Sequence, residues 1–339
     1  MFNLLKIGHQ VYKPKFIHET SFEVIGMHNI GIFGDTGIVG QEIQRILSCH
    51  DKVRIIYRKN SKREEGSKDF DLVFLATKDS NSMASASEMI DLGKKVIDMS
   101  GAFRLPKEQF EQWYGLQHSA PELLEKAVYG LPAYFKPEIA EAQLVANPGC
   151  YPTSVILALK PLEGLLQGEA TVVSTSGNSG SGNSVEDQPN EVTYNYGTKH
   201  KHVPEMALYS GFDVNFTPIV LRSVFSGINT NMRVELADIL KSLPGRDAAE
   251  KLRRTIGVSY EPEDNVSVVE DNCSKLWGTR DVVGTHKALI KIGVDKGHAY
   301  ICSMIDNLGK GAASQAVENM NIMLGLPRLY AIGNTYAVR

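Results

Sequence analysis

A chain of 339 residues and 37.3 kDa is long for one hydrophobic core, so two packed domains are expected. Its composition, 42% hydrophobic and 22% charged, excludes a disordered or collagen-like chain, and a formal net charge of −3 lacks the basic excess of a nucleic-acid binder. No apolar run approaches the roughly 18 residues of a membrane span, so the expectation is a cytoplasmic protein with no membrane partner.

Residues 1–27 have neither the apolar stretch of a signal peptide nor the arginine-rich character of a transit segment. Met27 stands just before a strong strand pattern, and translation is expected to begin there, so that the segment 1–27 ends on the true start and residues 1–26 are an extension. From His28 an apolar strand turns through Gly34-Asp-Thr36-Gly37-Ile38-Val39-Gly40 into an amphipathic helix with Ile43, Ile46 and Leu47 on one face. Glycines there let the backbone approach a pyrophosphate, and the helix N-terminus supplies free N–H groups. A glycine turn can also be purely structural, so the context matters. Strands at Val53–Tyr57, Leu72–Ala76 and Lys95–Asp98, with a helix around 80–92, give the alternation of a doubly wound parallel sheet. After the second strand, Arg58, Lys59, Ser61 and Lys62 replace the acidic residue of many NAD sites. They suit a 2′-phosphate and favour NADP; a solvated basic loop is the alternative.

Next, Pro148-Gly149-Cys150 places a thiol in a tight corner ahead of an apolar helix read from Thr153 to Lys160. A helix N-terminus stabilises a thiolate, so Cys150 is expected to be a nucleophile. The other cysteines, Cys49, Cys273 and Cys302, read as a helix end, a polar segment and a buried strand. No Cys-x-x-Cys pair suggests zinc or a disulfide framework. The Gly/Ser-rich stretch 174–184 follows a strand at Ala170–Ser174 and reads as an anion-holding loop rather than a linker. His200 and His202 are better placed as acid–base partners of a cysteine than as metal ligands, because no further ligands lie nearby, and a helix begins near Pro204. At 305–326 a polar, glycine-containing entry leads into a helix whose stripe Ala312, Ala316, Met320 and Met323 reads as core.

Taken together, Gly34–Gly40, Asn147-Pro-Gly-Cys150-Tyr-Pro-Thr153, Ser176–Gly182, His200-Lys-His202-Val-Pro-Glu205 and Asp306-Asn307-Leu-Gly-Lys-Gly-Ala312 resemble the N-acetyl-gamma-glutamyl-phosphate reductase family from about His28 to Leu326. The resemblance implies an α/β plus α+β fold. An NADP-binding Rossmann domain (28–149) would join a semialdehyde dehydrogenase-like catalytic domain with a mixed sheet (150–306), and a C-terminal helix (307–339) would pack back on the first. It implies reduction of an acyl phosphate, N-acetyl-L-glutamyl 5-phosphate, by NADPH through a cysteine thioester, in a homodimer or homotetramer. Cys150 would be nucleophile and His202 acid–base. Arg104, Asn147, His200 and Glu205 would bind substrate. Ser176, Gly177 and Asn307 would join the glycine turn, Arg58 and Ser61 at the cofactor; no metal is implied.

The chain departs from the family pattern at Ala102 and Ala133, where acidic residues are usual, and at Ile219 and Ser226, where histidine and arginine are expected. Arg222 is a candidate to supply the missing charge. An N-succinylglutamyl, aminoadipyl or aspartyl phosphate is therefore an alternative substrate, and a non-catalytic NADP-binding protein an alternative of another class.

Overall fold

In the computed structural model, residues 26–181, 190–271 and 274–333 are described, so the 1–25 part of the N-terminal extension, residues 182–184 of the Gly/Ser stretch and Cys273 lie outside them. The first half forms a sheet of seven strands: β1 (His28–Phe33), β2 (Val53–Lys59), β3 (Glu64–Gly66), β4 (Leu72–Leu75), β5 (Lys95–Asp98), β6 (Ala127–Tyr129) and β7 (Leu144–Ala146). Their spatial order is β3-β2-β1-β4-β5-β7-β6, parallel except for the β2–β3 hairpin. β4 is a wholly buried apolar run, and β1 from Ile30 and the Val96-Ile97 centre of β5 are buried too, as in strands covered on both faces. The chain leaves β1 toward β2 on one side and β4 on the other. The crevice above this reversal is where doubly wound sheets bind ligands. The glycine turn lies at that point, and at Gly34 (φ 82°) a side chain would collide with the Ala76 carbonyl.

The second half forms a mixed sheet from β8 (Leu166–Gly177), β9 (Glu191–Thr193), β10 (Val214–Leu221), β11 (Ile228–Leu236), β12 (Val266–Val268), β13 (Ala288–Asp295) and β14 (His298–Ile305), ordered β12-β13-β14-β11-β8-β10-β9. β8 pairs parallel with β10 and antiparallel with β11. One face carries the apolar helix Cys150–Leu159, in which Val155–Leu159 are fully buried. Cys302 is half-buried on β14, and Cys49 is exposed beyond the first helix.

A C-terminal helix, Ser314–Met323, joins the halves, and all ten of its residues are buried. Its apolar side (Ala316, Val317, Met320, Met323) packs with Ile43, Ile46 and Leu47 of the helix after the glycine turn. Each such large side chain contributes about 1.5–3 kcal/mol by leaving water. Its polar side reaches the loops that lead into β12 and β13: Glu318 accepts from His286 Nε2 (2.8 Å) and from Arg328 Nε (2.5 Å), and Arg328 Nη2 donates to Asp264 (2.6 Å). The entry is not a simple helix start. Residues Gly309–Ala313 form a π-helical turn, and Ala312 borders the central cavity instead of continuing the buried stripe.

Candidate active site

A cavity of about 1050 Å³ runs between the two sheets from the glycine turn to Cys150. Gly37, Ile38, Val39 and Gly40 line one end, with Ala76–Ser80 at the carboxyl end of β4; Cys150, His200 and His202 line the other. Ser176, Gly177 and Asn307 border it between these ends.

Cys150 is the first residue of its helix rather than lying ahead of it. Gly149 is the extended N-cap (φ −69°, ψ 151°), and Pro152 is tolerated because the first turn needs no N–H from it. The Gly149 N–H is held by Glu205 Oε1 at 2.8 Å, which fixes the corner. His202 N-caps the helix Val203–Ser210. A Cβ added at Gly149 would meet its Nε2 at 2.9 Å, so this edge of the ring faces the cysteine turn, while His202 Nδ1 is buried without a partner among the described residues. His200 lies beneath. Its Nδ1 accepts the His202 N–H (3.1 Å), and its ring packs edge-on to Tyr151, Tyr194 and Phe216.

Electrostatically the corner differs from the expectation of a ready thiolate. Burial pushes the Cys150 thiol up to about 11, against the opposing pull of the Tyr151 and Cys150 N–H groups and Arg104. Burial, then the neighbouring charges of His200, Arg104 and Lys201, holds His202 well below its usual value. The pair therefore rests as thiol and neutral imidazole, with the base in the form that takes a proton. The reading of a helix mouth as thiolate-stabilising is corrected because it omits desolvation. The expected result is that iodoacetamide labelling of Cys150, taken as the difference from Cys150→Ala because Cys49 is exposed, rises about tenfold per pH unit from 7 to 9. A plateau in that range would contradict a raised thiol pKa.

Several expected ligand contacts prove to be internal. Glu205 has no exposed surface; besides Gly149 it accepts from Tyr129 OH (2.8 Å) and faces Arg104 Nη1 (3.5 Å). It does not border the cavity, so its assignment to substrate is corrected: it underpins the cysteine corner. Asn147 borders the cavity, but its side chain is tied to the C-terminal segment, Nδ2 to the Ala312 carbonyl (3.3 Å) and Oδ1 from Asn319 (3.1 Å). Asn307 likewise holds loops together, accepting from the Gly227 N–H (2.7 Å) and donating to Ser179 (2.8 Å). Arg104 reaches the cavity while its Nε and Nη2 donate to the Asn147 and Met99 carbonyls.

At the other end, Gly34, Thr36, Arg58 and Ser61 lie outside the cavity lining. Arg58 Nε donates to Gln44 (2.9 Å) at the end of β2. Asp35, inside the glycine turn, is buried and binds Asn60 Nδ2 (2.8 Å) and Arg63 Nη2 (2.6 Å). Sequence reasoning missed this pair, whose only signal was an acid within the turn and a base within the following loop. It also missed Tyr129, on a three-residue strand, and Tyr194. The altered positions Ile219 and Ser226 do not line the cavity, nor does Arg222, the candidate for the missing charge; Val220, on β10 beside Ile219, does.

Two family models match: "Semialdehyde dehydrogenase, NAD binding domain" over residues 58–142, downstream of the glycine turn, and "Semialdehyde dehydrogenase, dimerisation domain" over 150–307. An N-acetyl-gamma-glutamyl-phosphate reductase of Acidithiobacillus ferrooxidans is 36% identical over 343 residues, covering 88% of this chain and 96% of that protein. The chain belongs to the N-acetyl-gamma-glutamyl-phosphate reductase family. Similar family members include those of Thermus thermophilus (33% identical, 89% of this chain and 98% of that protein) and Methanopyrus kandleri (34%, 87% and 95%). In fold, this reductase-family chain is similar to aspartate semialdehyde dehydrogenase II of Vibrio cholerae in complex with ASA (TM-score 0.66, 17% identity, 88% of this chain and 98% of that one). It is also similar to the NADP-bound aspartate semialdehyde dehydrogenase of Candida albicans (TM-score 0.65, 16% identity, 88% and 98%).

Proposed function

We propose that this chain reduces N-acetyl-L-glutamyl 5-phosphate to N-acetyl-L-glutamate 5-semialdehyde and phosphate, with NADPH as reductant, in arginine biosynthesis. The single observation that carries the reading is the continuous cavity joining the glycine turn to the Cys150–His202 pair. Gly37 and Gly40, at the N-terminus of the helix Ile38–Leu47, bring backbone without side chains to the cavity and fit a dinucleotide pyrophosphate. When bound, the nicotinamide supplies the hydride.

The chain's residues supply the rest. His202 takes the Cys150 proton as the sulfur attacks the acyl carbon. The C–O bond to phosphate breaks, phosphate departs, and a thioester remains on Cys150. With the nicotinamide bound, hydride delivered to the thioester carbon would give a tetrahedral thiohemiacetal anion, and the N–H groups at the start of the Cys150 helix would hold its oxyanion. Its collapse would release the aldehyde and the Cys150 thiolate, to which His202 returns the proton it took, restoring thiol and neutral imidazole. Arg104 adds positive charge at the same end of the cavity.

The same reading divides the chain at 28–149, 150–306 and 307–339 and makes it a cytoplasmic homodimer or homotetramer. Among the described residues no helix is long and apolar enough to cross a membrane. Because the departures at Ile219 and Ser226 lie off the cavity, they favour neither another acyl group nor loss of turnover.

The test is the reverse reaction: NADP+ reduction by N-acetylglutamate semialdehyde, dependent on phosphate. Turnover on the succinyl, aminoadipyl or aspartyl semialdehyde alone would overturn the substrate. The NADP preference is assigned to the Arg58 loop. Arg58→Ala is expected to narrow the NADPH-over-NADH ratio of kcat/KM by about tenfold, the effect of one charge-assisted hydrogen bond; an unchanged ratio would reject the assignment.

A further inference from the structure

The proposed substrate carries two anionic groups at opposite ends, a phosphate on the reacting acyl carbon and a carboxylate beside the acetamido nitrogen. The cavity is lined by three cations, Lys78, Arg104 and Lys201. Lys78 is the N-cap residue of the helix Asp79–Asp91, just past the end of β4, and so belongs to the cofactor end. Arg104 is buried, with Nε and Nη2 on carbonyls and Nη1 facing Glu205. Nη1 also lies 3.0 Å from where a Gly149 Cβ would stand, which puts this cation beside the Cys150 turn.

Lys201 is different. It is exposed at the cavity, between the two histidines, and among the described residues its ammonium has no carboxylate or hydrogen-bond partner. It stands over the Tyr114 ring, 5.1 Å from the centroid. An aromatic face positions an ammonium without neutralising it. A cation held this way, one residue from the base, is matched to an anion several bonds from the reacting carbon.

We propose that Lys201 is the specificity residue that binds the substrate's α-carboxylate, with Tyr114 as the platform that places its ammonium. This rests on the reaction proposed above. The pairing makes a carboxylate at that carbon a condition of tight binding, while Arg104 and the helix N-terminus serve the acyl phosphate end.

The experiment compares N-acetylglutamate semialdehyde with 4-acetamidobutanal, the same aldehyde with hydrogen in place of the carboxylate, in phosphate-dependent NADP+ reduction. The wild-type protein is expected to prefer the carboxylated aldehyde by about 10- to 100-fold in kcat/KM, the range for a charge-assisted contact. In Lys201→Met the preference collapses to within about threefold of unity through a raised KM for the carboxylated aldehyde, and Lys201→Arg restores most of it. Three outcomes would overturn the assignment. Lys201→Met lowering kcat/KM equally for both aldehydes, with a shifted pH profile, would show that Lys201 acts through the histidines. A raised KM for phosphate alone would assign Lys201 to phosphate. A wild-type preference near unity would leave no carboxylate subsite. Wild-type protein that binds NADP+ but turns over neither aldehyde would instead overturn the reaction itself, and the Lys201 assignment with it.

Discussion

Cys150→Ala is expected to lower kcat for phosphate-dependent NADP+ reduction by at least about 10⁴-fold while leaving NADP+ affinity within about twofold, measured by initial rates and by fluorescence titration of the cofactor. The magnitude follows from the role. A nucleophile that carries the acyl group cannot be replaced by water at the same position, and enzymes that lose such a group typically keep only the contribution of binding and oxyanion stabilisation. Alanine is close in shape, and the helix start is fixed from Gly149 rather than by the sulfur, so folding is not at issue. His202→Asn is expected to cost less, about 10²- to 10⁴-fold. Its loss should ease toward high pH, where the thiol, pushed up to about 11 by burial, begins to ionise without a base. Cys150→Ala protein retaining a tenth of the wild-type rate would end the thioester mechanism. A pH-independent His202→Asn deficit would remove His202 as the base for the thiol.

The parts of this architecture that were legible in the sequence are those set by local rules. The strands β1, β4 and β5 have apolar centres, and the glycine turn between β1 and its helix follows from backbone clearance at Gly34. The cysteine corner and the His-x-His segment were legible because turn residues and titratable groups are unusual neighbours. Strands β3, β6, β7, β9 and β12 were not, because three residues carry no periodicity. Nor was the direction in which polar side chains point. The motif around Glu205 announces a carboxylate near the histidines, but only the packing of its helix against β6 and the Cys150 corner turns it inward. Asn147 and Asn307 show the same limit: each stands beside the cavity, yet each is held by backbone groups 80 or more residues away. The raised thiol was equally hidden, since a helix N-terminus is a sequence feature and desolvation is a property of the assembled site.

That inward turn makes Glu205 the more consequential carboxylate for both stability and rate. It is fully buried and serves three partners from separate parts of the chain: the Gly149 N–H, the Tyr129 hydroxyl and the Arg104 guanidinium. Burial alone would lower the Arg104 pKa, but the Glu205 carboxylate, joined by Tyr114, Tyr129 and Asp98, more than offsets it and keeps the guanidinium charged. Removing the acid in Glu205→Ala leaves a buried cation uncompensated and two donors unpaired, which is expected to cost about 3–5 kcal/mol in urea unfolding. Glu205→Gln keeps an amide oxygen for the Gly149 N–H and loses the charge, so it should fall between wild type and alanine. Because Glu205 sets the Gly149 corner and thereby the Cys150 position, Glu205→Gln assayed well below its unfolding midpoint is expected to lose about 10- to 100-fold in kcat, as misplacement of a reacting group does. The KM for NADP+ should not move, since the glycine turn lies at the far end of the cavity. A contact with substrate would give another pattern: a raised KM for the aldehyde, little change in kcat and unaltered unfolding. That pattern would return Glu205 to the substrate, and the cysteine corner would then need some other support than the carboxylate beneath it.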